Sequence, residues 1–255
     1  MAAHRPHQSY EDHVDRLVSR FSRDQALRTA VGGEFNAVGK LEYHLLRALG
    51  LQETDLVIDV GCGSGRLAAQ LSRCREVRYL GCDIEPRLLA YAREISERPD
   101  WSFLVNDGYR IPAPAEQAQF VCFFSVFTHL PPEHAFRYLM EAQRVLVPGG
   151  CVVLSFLELR IRSHWVVFEQ ALRAPESEYG RHLNQFTSRD ALEAWAEHAG
   201  LLLEQVHDGD RPHIPIPEEI QWENGARMGT LGHLGQSVAV LRKPLVDVPL
   251  NAAEL

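Results

Sequence analysis

A chain of 255 residues fits one large domain or one domain with additions, and 45% apolar with 24% charged residues is the balance of a globular protein that buries a core. The formal net charge of -8 excludes a whole-chain basic field for nucleic acid. No apolar run approaches the ~18 residues of a membrane span.

The first residues, MAAHRPHQSYEDH, lack the apolar segment of a secretion signal, so a cytoplasmic protein is expected. Five cysteines, at 62, 74, 82, 122 and 151, form no C-x-x-C pair and read as buried free thiols. Residues 1–9 are expected to be loose. Val14, Leu17, Val18, Phe21 and Leu27 then fall near one face of a helix over 9–29. VGGEFNAVG interrupts the pattern. A second helix is predicted from Phe35 to Leu49, stopped by Gly50.

From residue 56 the texture changes. Apolar strand-like runs appear at 56–60, 77–82, 102–106, 119–126 and 151–157, with helical stretches at 65–73, 86–98 and 132–146 between most of them. Strands alternating with helices predict a parallel sheet with helices on both faces. Residues 158–186 are mixed. A helix is predicted at 188–199, a strand at 201–207, a long loop at 208–235 and a last strand at 237–242. With no helix between the last two strands, they should pair antiparallel. The expected fold class is a doubly wound, Rossmann-like α/β architecture: a seven-stranded, mostly parallel sheet with an antiparallel last strand. An N-terminal helical cap over 1–50 precedes a main domain over 51–243, which carries insertions at 158–186 and 208–235. A frayed tail over 244–255 follows.

The stretch LVIDVGCGSGRLAAQL at 56–71 is a strand, a glycine turn and a helix start. Gly61 allows a sharp turn, Gly63 lets a ligand lie against bare backbone, and the helix near Gly65 favours an anionic group. The dinucleotide fingerprint G-x-G-x-x-G is the rival pattern, but Arg66 stands where it needs a small residue. Asp59, inside the strand end, would repel a pyrophosphate. A ligand carrying both an ammonium and a carboxylate suits the two features together.

VIDVGCGSGRLA resembles the first motif of class I S-adenosylmethionine (SAM)-dependent methyltransferases. LGCDIEP, NDG at 106–108, SVFTHLP at 125–131 and RVLVPGGCVVLS at 144–155 resemble that family's later motifs, in order. The resemblance implies a methyltransferase with SAM as cofactor, S-adenosylhomocysteine as product and no metal. It places Asp59, Gly61, Cys62, Gly63 and Gly65 at the methionine end, and Asp83 with Ile84 at the ribose and adenine. Asn106, Asp107 and Gly108 fall at the adenine, and Ser125 along the channel to the methyl group. His129, after the fourth strand, is the first choice for a base. His164, Trp165, Tyr179, His182 and His213, on insertions overhanging the strand ends, are the candidates for acceptor binding.

These features suggest a small or medium organic acceptor, methylated at oxygen rather than nitrogen, with no nucleic-acid or membrane partner and a monomeric or homodimeric state. The alternatives are a protein or nucleic-acid methyltransferase and a non-catalytic SAM-fold module. An NAD-dependent oxidoreductase stays as a cofactor rival.

Overall fold

The computed structural model describes residues 6–245 apart from 107 and 174–183. Three helices come first: α1 (Pro6–Val18), α2 (Arg23–Ala30) and α3 (Phe35–Ala48). The single helix expected over 9–29 is thus two, and it begins at Pro6, inside the segment expected to be loose. The break falls where the Ser22 hydroxyl caps α2 by accepting from the Gln25 N–H at 3.4 Å. Gly50, at φ 98°, follows the end of α3 as expected.

The sheet is built from β1 (Leu56–Val60), β2 (Arg78–Asp83), β3 (Ser102–Val105), β4 (Ala118–Phe123), β5 (Leu146–Phe156), β6 (Leu202–His207) and β9 (Ser237–Arg242), in the order β3-β2-β1-β4-β5-β9-β6. β1 to β5 are parallel, and β9 runs antiparallel to both β5 and β6. The first strand shows why its sequence is continuously apolar. Successive side chains point to opposite faces, and both faces are covered. Val57 joins Leu41, Leu67 and Leu71 on one side, while Ile58 joins Leu139, Phe123 and Ala196 on the other.

The first face carries α3, α4 (Arg66–Leu71) and part of α5 (Pro86–Ser96); the second carries α6 (Pro132–Val145) and α8 (Arg189–His198). α1 and α2 pack through Val14, Leu27 and Ala30 onto Leu88 and Tyr91 of α5. All five cysteines are buried and free.

Two elements differ from expectation. Within 158–186, α7 (Arg162–Arg173) is a helix. The long loop at 208–235 contains a hairpin, β7 (Ile214–Gln221) with β8 (Arg227–Gly232), as a separate two-stranded sheet. Ile214, Ile216 and Ile220 of β7 point into the core beneath α3, while the alternate Pro215 and Pro217 stay exposed. Lys243, the last residue of the expected main domain, is buried. Its ammonium donates to the Leu146 carbonyl at 2.9 Å and pairs with Glu116 at 3.2 Å. The tail beyond 245 lies outside the described residues.

Candidate functional site

The C-terminal ends of β1, β2 and β4, with the 3-10 turn Phe127–His129 after β4, surround a cavity of about 860 Å³ that is also lined by Thr29–Gly32 and His13. Its lining includes Asp59, Gly61, Cys62, Gly63, Asp83, Ile84, Asn106 and Ser125, so one space collects most of the residues the motifs single out. Volume and mixed lining are those of a small-molecule site.

The glycine turn is held in a different way from the one expected. Gly61, Gly63 and Gly65 all have positive φ, 73°, 54° and 83°. The loop N–H groups are spent on β2: those of Gly61 and Cys62 donate to the Cys82 carbonyl at 2.7 and 3.0 Å, and that of Gly63 to Asp83 Oδ2 at 2.8 Å. These amides lock the loop onto β2. The need for glycine is steric. A Cβ on Gly61 would stand 2.4 Å from Val126 Cγ2, and one on Gly63 2.3 Å from Val31 Cγ1. Gly65 is equally constrained, 2.7 Å from the Ala92 Cβ, and lines no part of the cavity.

Two buried acids mark the strand ends. Asp59 accepts from the Tyr79 hydroxyl at 2.7 Å, and burial pushes its carboxyl up to about 6. Asp83 receives the Gly63 N–H on one oxygen and the Glu85 N–H, at 3.0 Å, on the other. Burial raises its pKa while those backbone donors oppose the rise. It therefore braces the turn into α5 as well as lining the cavity. Asn106 follows β3, and its backbone N–H donates to the Asp83 carbonyl at 2.9 Å. Gly108 accepts from the Tyr138 hydroxyl, and Tyr138 itself lines the cavity. Asp107 lies outside the described residues.

Ser125 lies at the end of β4 with φ 60°, a left-handed conformation that costs a non-glycine residue energy and is characteristic of functional sites. Its N–H donates to the Ser155 hydroxyl at 2.7 Å, and both hydroxyls donate to Gln236 Oε1, at 3.3 and 2.7 Å. β4, β5 and the approach to β9 are thereby tied together at one spot. These three residues also wall a second, smaller cavity of about 190 Å³, which borders the first. His129 is exposed and lines both cavities.

Sequence reasoning missed an ion pair between the cavities. Glu42 on α3 is 1% exposed and accepts from Arg66 Nε at 2.7 Å, while Arg66 NH1 donates to the Gly32 carbonyl at 3.1 Å. Burial pushes the Glu42 carboxyl up to about 7, with the Arg66 guanidinium opposing and the Asp59 carboxylate adding to the rise. Arg66 was visible only as the residue that spoils a dinucleotide fingerprint.

Of the residues expected to bind the acceptor, the described ones, His164, Trp165 and His213, line neither cavity. His164 is 1% exposed and faces inward. Its Nδ1 accepts the Glu158 N–H at 2.9 Å, and its Nε2 meets the Gly235 carbonyl at 2.9 Å, which fixes the neutral tautomer. It supports a buried network in which Glu158 accepts from Arg189 Nε, Arg189 NH2 and the Ser237 hydroxyl, at 2.9, 2.9 and 2.6 Å. Trp165 is exposed on α7 and donates to Glu169; His213 stacks on His207 with ring centroids 4.2 Å apart. Neither lines either cavity. Tyr179 and His182 lie outside the described residues.

A parallel sheet with one antiparallel strand inserted beside its last, a glycine turn after β1 and acids closing β1 and β2 defines a Rossmann-like adenosyl-cofactor fold. Residues 57–150 match the family model described as "Methyltransferase domain". The chain is similar to a malonyl-[acyl-carrier protein] O-methyltransferase of Hahella chejuensis, at 30% identity over 57% of this chain and 50% of that one. It is also similar to the 27-O-demethylrifamycin SV methyltransferase of Amycolatopsis mediterranei, at 26% identity over 68% and 63%. A solved SAM-dependent methyltransferase of Thermotoga maritima, described as a possible histamine N-methyltransferase, superposes with a TM-score of 0.60 at 17% identity, over 93% of this chain and 99% of that one. Residues 57–150 thus carry a methyltransferase domain, and the sheet has the fold of SAM-dependent methyltransferases, whose cofactor is SAM. The chain spans about half to two thirds of the length of the two curated relatives. Among the described residues no helix is long and apolar enough to cross a membrane.

The residues present fit that cofactor. The cavity of about 860 Å³ takes a ligand of its size, and substituents at Gly61 or Gly63 would crowd the turn. The buried Asp59 carboxyl, already raised to about 6, gains from an ammonium placed beside it.

Proposed function

We propose that the chain transfers a methyl group from SAM to the oxygen of a small organic acceptor. The observation that carries this reading is the meeting of two cavities at Ser125: a large one over the glycine turn and acids, and a small one walled by Ser125, Ser155 and Gln236. In this reading Asp59 holds the ammonium, and Asp83 holds the ribose hydroxyls. Ile84, Asn106, Asp107 and Gly108 surround the adenine. Bound SAM supplies a methyl group on a sulfonium, already activated for displacement. The protein's part is to hold the acceptor atom in line behind that methyl, and orientation of this kind is worth up to ~7–11 kcal/mol. The Ser125–Ser155–Gln236 network fixes the wall against which the acceptor is aimed.

The size of the small cavity supports a small acceptor. Engineered cavities of about 150 Å³ hold benzene, so this one suits a single ring or a short chain. The names of the relatives, O-methyltransferases among them, support oxygen as the receiving atom.

Thermal unfolding with SAM, S-adenosylhomocysteine and NAD tests the reading. At ~100 times its dissociation constant a native-state ligand adds about 2.7 kcal/mol, a shift of roughly 5–10 °C for a chain of this size. Shifts with both adenosyl ligands and none with NAD are expected. A shift with NAD alone would replace the reading with an oxidoreductase.

A further inference from the structure

The large and small cavities share part of their walls: Glu42, Arg66, Phe124, Ser125 and His129, with Val31–Gly32 at the rim. On the reading above, the methyl group passes from one cavity to the other along this shared wall. A hydroxyl acceptor must give up its proton there. Two side chains of the shared wall can take one, Glu42 and His129. His129 is exposed on its 3-10 turn, where water competes for it. Glu42 is 1% exposed and projects from the middle of α3.

We propose that Glu42 is the proton acceptor for a hydroxyl-bearing substrate no larger than one ring, seated in the small cavity. The proposal rests on the SAM-dependent reading and goes beyond it by assigning the base and the acceptor class. A buried carboxylate is costly to keep, and one bordering a cavity is a candidate functional group. Arg66 holds Glu42 through Nε at 2.7 Å on Oε1. A carboxylate has four lone-pair positions, so one such bond leaves acceptor capacity for a substrate hydroxyl. The charged groups facing Glu42 are Arg66 from α4 and Asp59 from β1. Their opposing effects, with burial, leave the carboxyl at about 7, poised for exchange at neutral pH.

The step balances. The acceptor O–H bond breaks and its proton goes to a Glu42 oxygen. The oxygen electron pair forms the new O–CH3 bond. The electron pair of the broken S–CH3 bond stays on sulfur, leaving a neutral thioether. Glu42 then returns its proton to solvent when product leaves.

The test uses the full chain loaded with S-adenosylhomocysteine, with phenol as the hydroxyl probe and anisole as a probe of similar shape without the proton. Calorimetry of phenol binding between pH 6 and 8 should show affinity rising about tenfold, as expected for a base of pKa near 7. Anisole binding should not change. Glu42→Gln should abolish the pH dependence while still binding S-adenosylhomocysteine. If Arg66, left unpaired, destabilises that variant too far, Glu42→Gln with Arg66→Gln removes both charges and should behave in the same way. Wild-type protein that binds no S-adenosylhomocysteine would end the SAM reading itself. Four outcomes would overturn the assignment of Glu42 alone. They are loss of S-adenosylhomocysteine binding in the glutamine variants, phenol affinity indifferent to pH, a pH dependence that survives Glu42→Gln, and no phenol binding at any pH.

Discussion

Gly39 sits inside α3, where helix propensity alone says that alanine is better by about 1 kcal/mol. The packing says the opposite. A Cβ at residue 39 would lie 2.5 Å from the Arg66 carbonyl oxygen and 3.1 Å from its carbon. These are backbone atoms of α4 at the end of the glycine turn, so no side chain can swing aside. α3 would have to lift from α4 by more than half an ångström. Overpacking of this kind costs about 1–3 kcal/mol, and a rigid backbone contact belongs at the upper end. After crediting the propensity gain, Gly39→Ala should destabilise by about 1–2 kcal/mol, lowering Tm by roughly 2–8 °C. Differential scanning calorimetry of the two proteins measures it. The same shift would loosen the Glu42–Arg66 contact, because Glu42 lies one turn further along α3. A Tm equal to or above that of the parent would show that the close approach of α3 and α4 carries no energetic weight.

Three further outcomes are expected. Glu42 titrates at about 7 when folded, against 4.5 for the free group, so its native-state contribution is fully present below about pH 4.5 and is lost as pH rises through 7. The stability of Glu42→Gln relative to wild type should therefore rise by about 2.5 kcal/mol between pH 5 and 8, and parallel pH curves for the two proteins would refute the shifted titration. Asp83→Ala should abolish measurable SAM binding and also lower Tm, since two backbone N–H groups lose their acceptor; unchanged binding by calorimetry would remove Asp83 from the ribose. His164→Leu should destabilise by about 2 kcal/mol through the orphaned Glu158 N–H and Gly235 carbonyl, with cofactor affinity unchanged, and a selective loss of acceptor binding would return His164 to the site.

Where local pattern carries the information, the sequence is enough. Asp59 at the end of the first strand, Gly61 and Gly63 after it and Asp83 closing the next strand lie in short windows, and the structure gathers them round one cavity. The β7–β8 hairpin was hidden because Pro215 and Pro217 argue against a strand. They are tolerated because they alternate with the buried Ile214 and Ile216 on a strand of a two-stranded sheet. The break between α1 and α2 turned on Ser22, whose capping role competes with a hydrophobic period that runs on past it. The Glu42–Arg66 pair had no local signature at all, because its members meet only when α3 lies across the start of α4. His164 shows the converse. A histidine in an insertion looked like a ligand-binding group until its two nitrogens proved to be spent on backbone.

The antiparallel insertion of β9 has a consequence for the order in which the molecule is made. β6 emerges from the ribosome before β9, yet its sheet neighbour is β9, and β5 has the same strand on that side. Until Ser237–Arg242 are synthesised, β5 presents an unsatisfied edge and β6 has nothing to pair with. Gln236, the residue that ties the walls of the small cavity together, arrives with the same segment. A nascent chain halted before this point carries the cofactor motifs but neither a closed sheet nor an acceptor wall. Such a chain offers a bare strand edge for pairing with its own copies, so completion of the sheet and completion of the site coincide in a single step of synthesis.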